Sequence, residues 1–215
     1  MERDWVVVMP VKRLDAAKSR LRGAVPAARH GELALAMVRD TATAVLASSA
    51  VAELLVVTDD PVVAGAVAAL GARVVPDRPA AGLNEAMRYG ADEVAGPARF
   101  RAVLAGDLPA LRPEQLDAAL AAARPGRGFV ADAAGTGTVL LAVAPGEPLD
   151  PRFGIGSAAA HAASGAHPLD GDWPGLRQDV DTPADLGTVL GLRAGSHTCE
   201  LIRDLGLKVA CVSAA

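Results

Sequence analysis

Short aliphatic runs alternate with alanine-rich stretches along the first half of the chain, and that alternation constrains the fold more than any other feature. WVVVMPV (5–11), ELLVVTDD (53–60) and ARVVPD (72–77) are almost continuously apolar up to a turn or polar residue, as strands buried on both faces must be. Between them RHGELALAMVRDTATAVLAS (29–48) carries Leu33, Met37, Ala44 and Val45 at helical spacing, and PVVAGAVAALG (61–71) reads as a helix closed by Gly71. Strand and helix in strict turn predict an α/β domain whose mostly parallel sheet is covered on both faces. Aromatic residues are only 3% of a chain that is 51% hydrophobic, so alanine, valine and leucine must fill the core.

The pattern continues with a helix over 82–95 and a fourth strand in FRAVLAG, ending at Gly106-Asp107-Leu108-Pro109, then a helix from about Pro113 to Ala123. It lapses at GFVADAAGTGTVLLAVA (128–144), which reads as two strands around a glycine-rich turn. Beyond DPRFGIGS (150–157) a small helix near 157–164 is expected, then RQDVDTPADL (177–186) and a last helix. The domain is expected to end near residue 192, leaving 193–215 as a tail without a legible role. Cys199 and Cys211 lie in that tail without CxxC spacing and read as free thiols.

Charge and hydropathy narrow the partners. Twenty-one basic against 25 acidic residues, for a net of -4, leave no electrostatic footprint for nucleic acid or an anionic membrane. No window approaches the roughly 18 apolar residues of a bilayer span, and the charged start before a very short apolar run reads as a first strand rather than a signal segment. A soluble, cytoplasmic protein acting on small molecules is expected, with its oligomeric state open.

Several groups can carry chemistry. Asp107 follows a strand directly, where open α/β sheets place their ligand crevice; position alone divides it between a turn cap and a metal or substrate contact. Asp179 and Asp181 are two apart, so extended backbone puts both on one face. With Asp107 they would offer the oxygen ligands that Mg²⁺ prefers. The simpler reading makes Asp181 the N-cap of the Thr182-Pro183 helix and leaves Asp179 solvated. Lys12 and Lys18, with Arg13 and Arg20, form a basic loop after the first strand; it is neither a Walker A loop nor a GxGxxG fingerprint, yet it can gather phosphates. GTGT (135–138) and FGIGS (153–157) are glycine turns ending in a hydroxyl, which let backbone N–H groups approach an anion. Asn84 can meet a base or ribose or cap its helix. No histidine or cysteine stands in a nucleophilic or metal-ligand pattern.

Taken in order, VVVMPVKRLDAAKSRL, LLVVTDD, GLNEAM, LAGDLPAL, FVADAAGTGT, LDPRFGIGSAAAH and LRQDVDTPADL resemble the guanylyltransferases that make the activated lactyl donor of the deazaflavin coenzyme F-420. The likeness is strongest to the branch acting on phosphoenolpyruvate, with the 2-phospho-L-lactate enzymes near it, and runs from about residue 5 to 192. It implies a three-layer nucleotidyltransferase fold of the GT-A, Rossmann-like kind, and a Mg²⁺-dependent transfer of GMP from GTP to phosphoenolpyruvate with release of pyrophosphate. It implies the metal on Asp107, Asp179 and Asp181, the acceptor on Thr138, Gly154 and Ser157, and the triphosphate near Lys12 and Lys18. A deazaflavin-coupling transferase would take the product. Spacing does not separate phosphoenolpyruvate from 2-phospholactate or 3-phosphoglycerate, nor explain a choice of guanine. A sugar-phosphate or molybdopterin nucleotidyltransferase, a metal-dependent glycosyltransferase and a non-catalytic nucleotide-binding scaffold are the competing readings.

Overall fold

A computed structural model of the chain describes residues 3–14, 25–78 and 81–207. Among the described residues seven strands form one sheet: β1 (Trp5–Pro10), β2 (Val51–Val57), β3 (Arg73–Val75), β4 (Phe100–Leu104), β5 (Arg127–Ala131), β6 (Thr138–Val143) and β7 (His167–Pro168), in the order β3-β2-β1-β4-β6-β5-β7. β3, β2, β1 and β4 run parallel, and β6 is antiparallel to both β4 and β5. The hairpin expected at 128–144 is thus present, and it supplies the antiparallel strand of an otherwise mostly parallel sheet.

The unbroken apolar runs are explained by burial on both faces. Trp5, Val7 and Met9 of β1 join one core with Leu54 and Val56 of β2; Val6 and Val8 join the opposite one with Leu55 and Val57. The period of two along an extended chain divides these strands between two cores, so the residues facing either core are apolar. The first core is covered by α1 (His30–Ala47), α2 (Pro61–Ala69) and α4 (Pro113–Ala123). The second is covered by α3 (Leu83–Arg88) and α5 (Ser157–Ala163). The single helix expected over 82–95 differs in detail, because after Arg88 it continues as a π-helix, Tyr89–Ala95. Gly90 there lies so close to the sheet that an added Cβ would stand 2.6 Å from Val8 Cγ1 and 2.9 Å from Val57 Cγ2. The glycine lets the helix rest on the strands themselves.

A third core, outside the sheet, corrects the expectation of a tail. α6 (Pro174–Arg177) and α7 (Pro183–Gly191) are followed by α8 (Ser196–Asp204), which the sequence reading did not foresee. Leu33 and Met37 of α1, Val189 of α7, Ile202 of α8 and Val180 pack together, each buried. The N-terminus of α8 is capped from α1: the Asp40 carboxylate accepts from the amides of His197 (3.0 Å) and Thr198 (2.8 Å). Residues 193–207 therefore belong to the domain. Cys199 is disulfide-bonded, against the free thiol expected, and Cys211 lies outside the described residues.

Candidate functional site

The C-terminal edge of the parallel strands opens into a cleft of about 270 Å³. Val11, Lys12 and Arg13 after β1, Val57 and Asp59 at the end of β2, Asp77 after β3, and Gly82 and Leu83 at the start of α3 line it. The two acidic residues that end β2 hold its walls in place. Asp60 accepts from the amides of Val62 (2.9 Å) and Val63 (3.2 Å) as the N-cap of α2, and from Leu14 N–H (2.9 Å) beside the basic loop. These donors hold its carboxyl below the usual range, the Leu14 amide most strongly. Asp59 accepts from Asp77 N–H at 3.1 Å. Lys12 is exposed on the cleft, whereas Lys18 lies outside the described residues.

Next along this edge three segments converge on carboxylates. Asp107 stands in the turn after β4, and that turn is fixed from outside the sheet. The Leu108 amide donates to Thr41 Oγ1 of α1 (3.0 Å), and Gly195 N–H donates to the Pro109 carbonyl (2.8 Å). Asp179 and Asp181 flank Val180, whose burial in the third core orients the pair. The segment before them is stitched to β5: Arg177 donates to the carbonyls of Ala131 (3.0 Å) and Leu169 (3.1 Å), and Ala133 N–H donates to the Arg177 carbonyl (2.8 Å). The third segment is the β5–β6 turn with Asp132, a carboxylate the sequence reading passed over. Asp132 accepts from the amides of Thr136 (2.9 Å) and Gly137 (2.8 Å) and so shapes GTGT.

The electrostatic result is concentrated on Asp179. Burial, and then the charges of Asp107, Asp181 and Asp132, push its carboxyl up to about 7. A surplus of negative charge around a partly buried carboxylate is relieved by a divalent cation, and the donors are the hard oxygens that Mg²⁺ selects. Among the described residues no three acidic, histidine or cysteine side chains are drawn into a preformed cage. The donor set fits the metal by charge and chemistry. The simpler reading of Asp181 fails: the N-cap of α7 is Thr182, whose hydroxyl accepts from Asp185 N–H (3.3 Å) while Asp185 accepts from the Thr182 amide (2.7 Å) in a capping box.

Beyond the carboxylates lie the two glycine turns. Thr138 begins β6 and Ser157 begins α5; both are buried. Gly154 (φ 139°) and Gly156 (φ 72°) take backbone conformations that favour glycine, and they bring Ser157 N–H to the Gly154 carbonyl at 3.1 Å. Ala158 N–H donates to the Thr136 carbonyl (3.1 Å), joining the two turns. Asn84 does not cap α3, whose N-cap is Gly82 and which has no side-chain cap. Its amide clasps Phe153 instead, accepting from Phe153 N–H (2.8 Å) and donating to its carbonyl (3.0 Å). His161 is fully buried between Thr138 and Arg152. Asn84 and His161 thus hold adjacent residues at the entry to the second turn, Phe153 and Arg152, through contacts that match no local sequence pattern.

A sheet of this order, with a cleft beside the basic loop and carboxylates at the strand ends, has the architecture of the nucleotide-diphospho-sugar transferases. It superimposes on a protein from Desulfovibrio desulfuricans G20 provisionally described as one, with a TM-score of 0.70 over 95% of this chain and 97% of that one at 17% identity. The particular family follows from sequence: residues 5–215 match the model for guanylyl transferases of the CofC-like kind, and the chain belongs to that family of nucleotidyltransferases. It is 61% identical over 204 residues, 94% of each chain, to a phosphoenolpyruvate guanylyltransferase of Salinispora arenicola. It is 54% identical over 206 residues to one of Geodermatophilus obscurus, covering 93% of this chain and 94% of that relative. The family match runs through the segment expected to be a tail, in keeping with the packing of α8.

Proposed function

We propose that the chain transfers GMP from GTP to the phosphate of phosphoenolpyruvate. A phosphate oxygen of phosphoenolpyruvate attacks the α-phosphorus of GTP, a new P–O bond forms, and the bond to the β-phosphate breaks with release of pyrophosphate. The product is enolpyruvyl-diphospho-guanosine. The nucleophile is already an anion at neutral pH, so the reaction needs no general base; it needs charge neutralisation and alignment. What carries the reading is the 61% identity, over 94% of both chains, to a relative that bears this activity's name.

The residues divide the work along the strand edge. Lys12 faces the triphosphate from the cleft lined by Gly82 and Leu83; Lys18, outside the described residues, is assigned to the same phosphates by the family resemblance alone. Asp107, Asp179 and Asp181 hold Mg²⁺, which when bound supplies positive charge to the crowded phosphates. Thr138, Ser157 and the Gly154 backbone bind the acceptor's phosphate and carboxylate, while Asn84 acts on the acceptor through its clasp on Phe153. The reaction belongs to the cytoplasmic assembly of coenzyme F-420, with a deazaflavin-coupling transferase taking the product.

A pyrophosphate-release assay crossing the four nucleoside triphosphates with phosphoenolpyruvate, 2-phospholactate and 3-phosphoglycerate tests this. The highest kcat/KM is expected for GTP with phosphoenolpyruvate and activity is lost on chelation of the metal. Preference for another pair, or turnover indifferent to chelation, counts against the reading.

A further inference from the structure

The guanylyl transfer read above uses no histidine, yet one buried histidine touches both acceptor turns. His161 sits in α5 with none of its surface exposed. Its Nδ1 is 2.9 Å from Thr138 Oγ1, and its Nε2 is 2.9 Å from the Arg152 backbone nitrogen. Phe153 stands edge-on at 5.1 Å and Phe129 lies at 5.9 Å, closing the apolar sides of the ring.

The partners settle the tautomer. A backbone N–H can only donate, so Nε2 must offer its lone pair to Arg152. A neutral imidazole then carries its one proton on Nδ1 and donates it to Thr138 Oγ1. The ring is kept neutral by burial and, next, by the positive charge of Arg127, which together lower its pKa to about 4. With Thr138 Oγ1 acting as acceptor toward the ring, its own hydrogen is left for an oxygen outside the pair. A hydroxyl free to rotate would spend part of its time with a lone pair toward an anion; this one is set to donate.

We propose that His161 is a positioning residue of the acceptor site. From Nδ1 it orients the Thr138 hydroxyl as a donor toward an anionic oxygen of the acceptor, and from Nε2 it fixes the Arg152–Phe153 backbone that leads into the FGIGS turn. The inference rests on the reading that Thr138 meets the acceptor, and it adds a reason why a buried histidine ties the GTGT turn to the FGIGS turn.

The test separates the two bonds. Asparagine places an amide nitrogen near the position of Nδ1, whereas glutamine places its amide near Nε2. His161→Gln should keep the Arg152 contact and lose the Thr138 one. It is expected to raise KM for phosphoenolpyruvate about tenfold, the loss of one oriented hydrogen bond, with KM for GTP within about twofold. His161→Asn should restore most of the acceptor affinity. Thr138→Val should weaken the acceptor as much as His161→Gln does, and the double variant no further. An unchanged acceptor KM in His161→Gln beside a raised one in Thr138→Val overturns the proposal alone. An unchanged acceptor KM in Thr138→Val overturns it together with the acceptor reading. Independent of any variant, ¹⁵N NMR of the wild-type ring is expected to show a protonated Nδ1 and a bare Nε2; the opposite tautomer contradicts the proposal.

Discussion

The two sides of the strand edge, the cleft proposed for the nucleotide and the glycine turns proposed for the acceptor, are built by different means. The cleft beside Lys12 is shaped by the ends of parallel strands and the start of α3, so regular backbone does most of the work and Asp59 and Asp60 only trim its walls. The acceptor side has no such frame. Its turns belong to an antiparallel hairpin and an irregular segment, and they are held by individual side chains: Asp132 bonds the amides of Thr136 and Gly137, Asn84 reaches across 69 residues to the Phe153 backbone, and His161 joins the Thr138 hydroxyl to the Arg152 backbone. Buried polar groups in such loops must be satisfied one by one. Order on this side therefore depends on single residues, and single substitutions should affect acceptor binding while sparing GTP.

The carboxylates lie where the two sides meet, and removing them should have the largest effect. Asp107→Ala and Asp179→Ala are each expected to lose about 10²- to 10³-fold in kcat, the usual cost of one group that stabilises developing charge, with melting behaviour showing a folded protein. Retained turnover in both variants removes the metal site from the account. A smaller effect, confined to one side, is expected of Asn84→Ala. With both Phe153 backbone groups left unpaired, KM for the acceptor should rise about five- to tenfold while KM for GTP stays level. Equal loss for both substrates would mean that the clasp serves the nucleotide cleft as well.

The smallest effect is on stability and has the opposite sign. The Asp179 carboxyl, pushed up to about 7 by burial and its acidic neighbours, holds a proton in the folded state that it has lost in the unfolded chain over the window from near 4 to 7. Stability consequently falls as pH rises through that window, and the ionised group is a liability above it. Asp179→Asn in the presence of a chelator at pH 8 should raise Tm by roughly 3–6 °C, and the gain should vanish near pH 4. No gain at pH 8 would show that the acidic cluster carries little strain.

The two sides were also unequally legible in the sequence. β1, β2 and β4 could be read because burial on both faces leaves an unbroken apolar run, and the GTGT hairpin because glycines punctuate it. Asp107, Asp179 and Asp181 were visible as strand-end and alternating acids. The Thr182–Asp185 capping box was also present in TPAD, but the neighbouring Asp181 is an equally good cap by residue type. α8 was missed because its cap, Asp40, comes from another helix. Asn84 is legible as a polar residue at a helix start but its partner Phe153 is not, and His161 carries no signal because its partners lie 23 and 9 residues away and match no ligand spacing. Local patterns carry strands, turns and caps; long-range satisfaction of buried polar groups leaves no local trace.

The most direct test follows the bond that forms. ³¹P NMR of purified protein with GTP, phosphoenolpyruvate and Mg²⁺ should show two mutually coupled diphosphate resonances appearing in step with free pyrophosphate, as the phosphoenolpyruvate phosphate joins the α-phosphorus of GTP. Formation of GDP and inorganic phosphate, or of pyrophosphate without a new phosphorus–oxygen–phosphorus linkage, would contradict guanylyl transfer to this acceptor.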